Sequence, residues 1–152
     1  MKIAIIGYGK MGRLIESIAI QRNHNICQII DEPNWAVNLL KDADVAIEFS
    51  QPECVLDNIR KSFSACVPIV VGTTGWYDHF NEVKQWCADF DGAILPATNF
   101  SLGVNVFFEI NRQLAKIMDK QSNYQTSMQE IHHTEKLDSP SGTAITTAEI
   151  IL

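Results

Sequence analysis

Long apolar runs are missing from this sequence. Although 46% of its 152 residues are hydrophobic, no run approaches the roughly 20 apolar residues that a membrane-spanning helix needs. The opening segment MKIAIIGYGK has one basic residue and only a short apolar stretch before its glycines, and a secretory signal needs a longer one. We therefore expect a cytoplasmic protein with no membrane partner.

An excess of basic residues is missing as well. The 12 Lys and Arg stand against 18 Asp and Glu, which gives a formal net charge of −6. A nucleic-acid binder would need a basic face, so we expect no nucleic-acid partner. An anionic small molecule is compatible with this charge, because a few local cations and a helix N-terminus can hold one.

Metal-ligating patterns are also scarce. The four cysteines form no C-x-x-C pair and show no metal-ligand spacing. Because no secretory signal is evident, we expect reduced thiols. Cys27 and Cys66 lie in or beside apolar segments, which predicts that they are buried. Zinc binding by His132 and His133 is disfavoured, because adjacent residues on a strand point to opposite faces and no third ligand is evident. We expect no metal site.

Short apolar runs alternate with amphipathic stretches over the first hundred residues. This alternation is typical of an α/β fold of the Rossmann type, a doubly wound parallel sheet whose strands all end at one ligand-binding edge. Ser50 and Glu53 match a capping box, with Ser50 as N-cap of the second helix. The predicted strands cover residues 3–6, 26–30, 45–49, 67–71 and 93–95, and the predicted helices 11–19, 51–63 and 77–90, with one or two helical turns at 35–41.

The pattern changes near Pro96, which predicts a dinucleotide-binding domain at 1–100 and a second domain at 101–152. In the second domain we predict a helix over 104–118, a strand over 124–133, a polar loop over 134–142 and a helix from 143. Because no C-cap signal precedes Leu152, we expect this domain to be incomplete.

A glycine-rich loop follows the first predicted strand. Gly7, Gly9 and Gly12 form G-x-G-x-x-G at the start of an amphipathic helix, and Asp31 follows 19 residues after Gly12. This context is the fingerprint of dinucleotide binding, with the pyrophosphate at the helix N-terminus and the acid on the ribose. The pair Asp31 and Glu32 would repel a 2′-phosphate, so we expect NADH as cofactor, with NADPH possible.

Two later segments carry groups that bind anions or move protons. The first, residues 72–75, follows the fourth predicted strand and is compatible with either a nicotinamide contact or an ordinary βα turn. The second, residues 130–143, holds His132, His133 and Lys136 and ends in Ser-Gly-Thr at a helix start. A histidine that titrates near pH 7 suits proton donation, and a helix start suits a carboxylate. His24 and His79 are interpreted as ordinary structural or surface residues.

With these motifs, the sequence resembles the dihydrodipicolinate (4-hydroxy-tetrahydrodipicolinate) reductases. The resemblance covers residues 7–13, 72–75, 97–105 and 130–144 in order, and 130–144 is close to the signature E-x-H-H-x-x-K-x-D-x-P-S-G-T-A, with Ser139 where Ala is common. It implies an oxidoreductase of lysine and diaminopimelate biosynthesis that uses NADH or NADPH to reduce a cyclic dicarboxylic substrate. It also implies that residues 101–152 are the first part of an α+β substrate-binding and catalytic domain.

The resemblance also implies a role for each matching residue. His132 would be the proton donor, and Lys136 would be a second catalytic residue that also holds the substrate. The other implied substrate contacts are His133, Gly142 and Thr143. The implied cofactor contacts are Gly7, Tyr8, Gly9, Lys10, Met11, Gly12, Asp31, Phe49, Ser50, Gly72, Thr73, Thr74, Ala97, Thr98, Asn99 and Phe100.

Family members continue well past residue 152 and form homotetramers largely through the substrate domain, so the oligomeric state and activity of a chain of this length stay open. Two other functions are compatible with the glycine loop. One is a different two-domain nicotinamide dehydrogenase, which the segment 130–143 disfavours. The other is a non-catalytic NAD-binding remnant, which would bind NADH without turnover.

Overall fold

The computed structural model describes residues 1–132, 134 and 139–152. The chain divides into two compact units, Met1–Ala97 and Thr98–Leu152. The first unit confirms the α/β prediction, because five parallel strands alternate with helices. Its elements are β1 (Lys2–Ile6), α1 (Lys10–Gln21), β2 (Asn25–Ile30), a 3₁₀ turn (Val37–Leu40), β3 (Val45–Glu48), α2 (Pro52–Ser64), β4 (Ile69–Val71), a second 3₁₀ turn (Tyr77–His79), α3 (Phe80–Asp89) and β5 (Ile94–Pro96).

The five strands form one sheet in the order β2-β1-β3-β4-β5. Within this sheet, Ile5 of β1 pairs with Ile29 of β2 on one side and with Ile47 of β3 on the other. Since the chain turns to opposite sides of β1 to build β2 and β3, the strand order reverses between β1 and β3. Ligands of open α/β sheets bind at such a reversal, beyond the carboxyl ends of the strands.

Apolar burial fixes the sheet and its helices. The whole stretch Ile3–Ile6 is at most 4% exposed, as expected for a central strand covered on both faces. On α2, the side chains of Val55, Ile59 and Phe63 are at most 1% exposed, so the helix buries the face that their four-residue spacing predicts. Burying side chains of this size contributes roughly 1.5–3 kcal/mol each.

The predicted capping box is wrong. Helix α2 begins at Pro52 with Gln51 as its N-cap, and among the described residues no side chain caps it. The hydroxyl of Ser50 instead donates to the buried carboxylate of Glu48. A hydrogen bond to a carboxylate is stronger than the hydrogen bond that a hydroxyl accepts from a helix N–H. Proline at the first helical position needs no acceptor for an N–H and starts the helix by itself.

Three smaller expectations differ from the structure. The helix predicted over 77–90 is split into the second 3₁₀ turn and α3, and the helical turns predicted over 35–41 shorten to Val37–Leu40. Cys66 is exposed, because it occupies a turn with φ of +56° instead of the strand that follows. Cys27 is half-buried, and all four cysteines are free thiols.

The second unit contains two helices in its described residues, α4 (Leu102–Met118) and α5 (Gly142–Ile151). Ser141 caps α5 by accepting a 3.0 Å hydrogen bond from the N–H of Ala144. The strand predicted over 124–133 is wrong for residues 124–132, which are irregular; position 133 lies outside the described residues. A strand needs a neighbouring strand to pair with, and the described part of this unit offers none. Within the described residues, no helix combines the length and apolar character required to cross a membrane.

Candidate active site

A cavity of about 340 Å³ lies at the carboxyl ends of β1, β2 and β3, at the reversal of strand order. The loops that follow these three strands and the start of α2 form its walls. Its lining residues are Ile6, Gly7, Tyr8, Gly9, Ile30, Asp31, Glu32, Pro33, Phe49, Ser50, Gln51, Cys54 and Asn58. Six of the predicted cofactor-contact residues therefore lie around one cavity: Gly7, Tyr8, Gly9, Asp31, Phe49 and Ser50.

Two glycines of the loop are required by packing within the protein. Gly7 has a φ of +90°, and its N–H donates to the carbonyl oxygen of Ile30 at 2.8 Å. A Cβ at Gly7 would overlap the carbonyl oxygen of Phe49, so the loops after β1 and β3 lie in direct contact. A Cβ at Gly12 would overlap the carbonyl oxygen of Gly7, so the first turn of α1 packs against the end of β1.

Gly9 differs from these two glycines. A Cβ at Gly9 would meet no atom of the described residues within 4 Å, so packing among them does not require glycine there. Gly9 is the N-cap of α1, and no described side chain caps the helix, so its first N–H groups have no side-chain cap in the described part of the chain. Open N–H groups and the positive end of the helix dipole suit a phosphate group. The space beside Gly9 therefore fits a pyrophosphate that approaches the backbone closely.

Asp31 joins the glycine loop to the end of β2. Its Oδ1 accepts a hydrogen bond of 2.9 Å from the backbone N–H of Tyr8. A carboxylate has about four acceptor positions, so Asp31 keeps the capacity to accept ribose hydroxyls. Asp31 and Glu32 are the acids on the cavity wall, and neither Lys nor Arg lines the cavity in the described chain.

The side chain of Tyr8 is held from outside the cavity. Its hydroxyl donates to Glu16, and this hydrogen bond raises the pKa of Tyr8 above its ordinary value. The guanidinium of Arg13 lies 4.6 Å from the centre of the Tyr8 ring, at cation–π distance. The predicted contacts Lys10, Met11 and Gly12 lie on α1 and do not line the cavity.

A buried polar network behind the loop after β3 was missed by the sequence analysis. Glu48 is fully buried, and its Oε1 accepts from the backbone N–H of Ser50 at 3.1 Å and from the amide of Asn58 at 3.3 Å. Asn58 also donates to the Ser50 hydroxyl at 3.1 Å and accepts from the indole of Trp35 at 2.8 Å. This network fixes the cavity wall at Ser50. Its signal in the sequence is an acid, Glu48, inside an otherwise apolar strand.

Residues 72–74 lie behind Phe49 and do not line the cavity. The N–H of Gly72 donates to the carbonyl of Glu48 at 2.9 Å, and a Cβ at Gly72 would overlap the Phe49 ring. Thr73 is 7% exposed, and its hydroxyl is buried with no hydrogen-bond partner among the described residues. An unpaired buried hydroxyl costs free energy, and the nicotinamide contact predicted for this position stays a prediction.

In the second unit, predicted cofactor and substrate contacts lie together. The hydroxyls of Thr98 and Thr146 are 3.0 Å apart, and the amide of Asn99 lies 3.4 Å from the hydroxyl of Thr143. Asn105 donates to the carbonyl of Asn99 at 3.0 Å and holds this loop against α4. The start of α5, including Gly142, therefore lies beside residues 98–99. Ala97 belongs to the first unit and pairs with the carbonyl of Val71.

Glu130 connects His132 to the start of α5. Its carboxylate accepts from the N–H of Ser141 at 3.0 Å and from the Ser141 hydroxyl at 2.7 Å, and it lies 2.9 Å from Nε2 of His132. The two hydrogen bonds from Ser141, followed by the one from His132, lower the pKa of Glu130. The sequence analysis did not assign Glu130 a role. The predicted residues His133 and Lys136 lie outside the described residues.

Comparison with protein-family models adds evidence on ancestry. Residues 1–100 match the model described as "Dihydrodipicolinate reductase, N-terminus", and residues 103–152 match "Dihydrodipicolinate reductase, C-terminus". The chain belongs to the dihydrodipicolinate reductase family. The family resemblance carried by residues 7–13, 72–75, 97–105 and 130–144 is thereby confirmed.

Relatives of this family extend beyond the chain. The 4-hydroxy-tetrahydrodipicolinate reductase of Christiangramia forsetii is 47% identical over 100% of the chain, which covers 64% of that relative. The same-named protein of Methanopyrus kandleri is 41% identical over 80% of the chain and 44% of the relative. The chain thus spans less than two thirds of their length.

A solved structure shows the same fold. The dipicolinate-bound dihydrodipicolinate reductase of Paenisporosarcina sp. TG-14 aligns with a TM-score of 0.69 and 23% identity. The alignment covers 99% of this chain and 65% of that chain.

Proposed function

We propose that this chain carries the cofactor site and the proton donor of an NADH-dependent 4-hydroxy-tetrahydrodipicolinate reductase. The product is tetrahydrodipicolinate, an intermediate of lysine and diaminopimelate biosynthesis, and the enzyme acts in the cytoplasm. One observation carries the proposal: in the second unit, His132 and the start of α5 are held by the same carboxylate, that of Glu130. A proton donor beside a helix start suits a substrate that carries carboxylates.

The first unit binds the cofactor. The open N–H groups at the start of α1 and the space beside Gly9 receive the pyrophosphate, and Asp31 accepts the adenosine ribose hydroxyls. Because Asp31 and Glu32 are the charged groups on the described cavity wall, a 2′-phosphate would meet repulsion without a compensating cation. This is why NADH is proposed over NADPH.

The second unit holds the substrate and donates the proton. The N–H groups of Gly142 and Thr143, at the start of α5, bind a substrate carboxylate. Loss of water from the 4-hydroxy compound gives dihydrodipicolinate, and the imidazolium of His132 then gives a proton to the ring carbon next to the reduced position. A bound reduced nicotinamide would supply the hydride. Following the family resemblance, His133 binds a substrate carboxylate, and Lys136 holds the substrate and assists the reaction.

Turnover and cofactor binding are measured separately to test this proposal. We expect His132→Ala to lower kcat by a factor on the order of 10²–10⁴, the usual contribution of a general acid, with the NADH dissociation constant unchanged. His79→Ala is the matched control, because this exposed imidazole pairs with Glu82 in the first unit at 3.1 Å. NADH fluorescence gives the dissociation constant, and NADH consumption with substrate gives kcat.

Three outcomes would overturn parts of the proposal. Near-normal turnover by His132→Ala would remove the proton donor from the mechanism. Equal losses in His132→Ala and His79→Ala would indicate a general effect on folding. NADH binding by the wild type without turnover would favour a non-catalytic NAD-binding protein.

A further inference from the structure

We propose that Glu130 is a positioning residue that fixes which nitrogen of His132 delivers the proton. Glu130 binds the Nε2 side of the imidazole, so Nδ1 is the delivering atom. This inference rests on the proposed function of His132 as proton donor. The hydrogen bonds around Ser141 support it, because they determine the direction of each donor.

The direction of the hydrogen bonds follows from the chemistry of each group. The Ser141 hydroxyl accepts from the N–H of Ala144 at 3.0 Å and has one proton, which it donates to Oε2 of Glu130 at 2.7 Å. Oε1 accepts from the backbone N–H of Ser141. With both oxygens accepting from Ser141, and with an ionised carboxylate that can only accept, Nε2 of His132 must carry a proton. The neutral imidazole is therefore the Nε2–H form.

The carboxylate is ionised at neutral pH. Its hydrogen bonds from Ser141 and His132 hold the pKa of Glu130 below the ordinary value of a glutamate. The Glu130 side chain is 26% exposed and the His132 side chain 40% exposed. The Nε2 face of the ring is thus occupied by Glu130, while the exposed remainder of the ring is accessible to a substrate and to solvent.

The proton transfer balances with this assignment. In the imidazolium of His132 both nitrogens carry protons, and the Nε2 proton stays on the ring, where it is hydrogen-bonded to Glu130. The Nδ1–H bond breaks and a C–H bond forms on the substrate, while the electron pair that reduces the ring arrives as hydride from the nicotinamide cofactor of the proposed function. The imidazole is left in its neutral Nε2–H form, and solvent returns the Nδ1 proton.

The same carboxylate sets the position of the donor relative to the helix start. Ser141 is the N-cap of α5, and both of its donor groups bind Glu130. His132 is therefore tied, through one carboxylate, to the helix start that we propose as a carboxylate site. Residues that orient a metal-bound imidazole through its other nitrogen contribute a factor of about 10–100 in activity or affinity, and we expect an effect of similar size here.

Nitrogen-15 NMR of the His132 imidazole tests the assignment directly on this chain. In the wild type we expect a protonated Nε2 with a slowly exchanging, hydrogen-bonded proton and an unprotonated Nδ1 in the neutral form. Glu130→Ala should lose the slowly exchanging Nε2 proton. Ser141→Ala is the matched control, since it removes the hydroxyl contact and the helix cap but leaves the Glu130–His132 pair, so the Nε2 proton should persist. A wild-type imidazole protonated on Nδ1, or identical spectra for wild type and Glu130→Ala, would overturn the proposal.

Turnover measurements provide a second test of the positioning role of Glu130. We expect Glu130→Gln to lower kcat roughly 10–100-fold while the NADH dissociation constant stays unchanged. An unchanged kcat in this variant would overturn the positioning role even where the NMR result is as expected. Absence of turnover in the wild type would instead overturn the proposed function and the delivery step with it, and the NMR arm would still decide which nitrogen Glu130 holds.

Discussion

The indole N–H of Trp35 donates a hydrogen bond of 2.8 Å to Oδ1 of Asn58, and both side chains are buried. Asn58 connects Trp35 to the cavity wall, because the Asn58 amide also donates to the hydroxyl of Ser50 and to the carboxylate of Glu48. The orientation of the amide is thereby fixed, with the oxygen towards Trp35. Trp35, which does not itself line the cavity, thus stabilises one wall of the proposed cofactor site.

Trp35→Phe should destabilise the first unit and weaken cofactor binding. The substitution leaves Oδ1 of Asn58 buried without a donor, which costs about 1–3 kcal/mol. Urea unfolding followed by circular dichroism measures the free energy of unfolding. Trp86→Phe is the matched control, because the described contacts of the Trp86 ring are packing and a cation–π pair with Arg60 at 5.7 Å. Equal losses in the two variants would contradict a specific role for the Trp35–Asn58 hydrogen bond.

Gly9→Ala and Gly12→Ala should separate ligand binding from stability. At Gly9 a Cβ meets no atom of the described residues within 4 Å, so the free energy of unfolding should stay within about 0.5 kcal/mol. The new methyl group would occupy the space proposed for the pyrophosphate, so NADH affinity should fall roughly tenfold, or 1.4 kcal/mol. NADH fluorescence titration and urea unfolding measure the two quantities on the same samples.

For Gly12→Ala, the sign of the change in the free energy of unfolding is diagnostic. Gly12 lies inside α1, where alanine would ordinarily stabilise the helix by up to about 1 kcal/mol. Here the Cβ would overlap the carbonyl oxygen of Gly7, and we expect a net loss of about 1–3 kcal/mol. A stabilised Gly12→Ala, or a Gly9→Ala with unchanged NADH affinity, would contradict this account of the loop.

The features that sequence predicted well depend on local pattern. The strand positions and the buried face of α2 at Val55, Ile59 and Phe63 follow from apolar spacing alone. The glycine loop and Asp31 follow from a motif whose residues act through the backbone turn that they form. These parts were predictable because the physical cause lies within a few residues or at a fixed spacing.

The features that sequence missed depend on tertiary contacts. Trp35, Glu48 and Asn58 meet only after β3 and α2 pack, and Glu130 reaches Ser141 across 11 positions. The capping box predicted at Ser50 was wrong for the same reason, because the Ser50 hydroxyl donates to the buried carboxylate of Glu48 and does not cap the helix. The strand predicted over 124–133 failed because alternation supplies a pattern but no pairing partner.

Asp31→Asn should change the choice of cofactor. The amide oxygen can still accept the N–H of Tyr8, which Oδ1 of Asp31 accepts at 2.9 Å, so the loop geometry is kept while one negative charge is removed. Less repulsion of a 2′-phosphate should shift the ratio of NADPH to NADH affinity towards NADPH by roughly tenfold. Glu32→Gln is the comparison variant on the same wall. A wild type that already binds NADPH more tightly than NADH would contradict the proposed preference.

Glu130 should make the second unit more stable at neutral than at acid pH. Its pKa is lowered in the folded chain by the hydrogen bonds from Ser141 and His132, so the folded state binds fewer protons than the unfolded state. This contribution is fully present above the unfolded pKa of about 4.3 and is lost as the pH falls through the lower, folded value. Glu130→Gln keeps an acceptor oxygen but does not titrate. In thermal unfolding between pH 6 and 3, roughly the range that spans these values, the melting temperature of the wild type should therefore fall more steeply than that of the variant. Parallel curves would show that the carboxylate of Glu130 does not make these hydrogen bonds in solution.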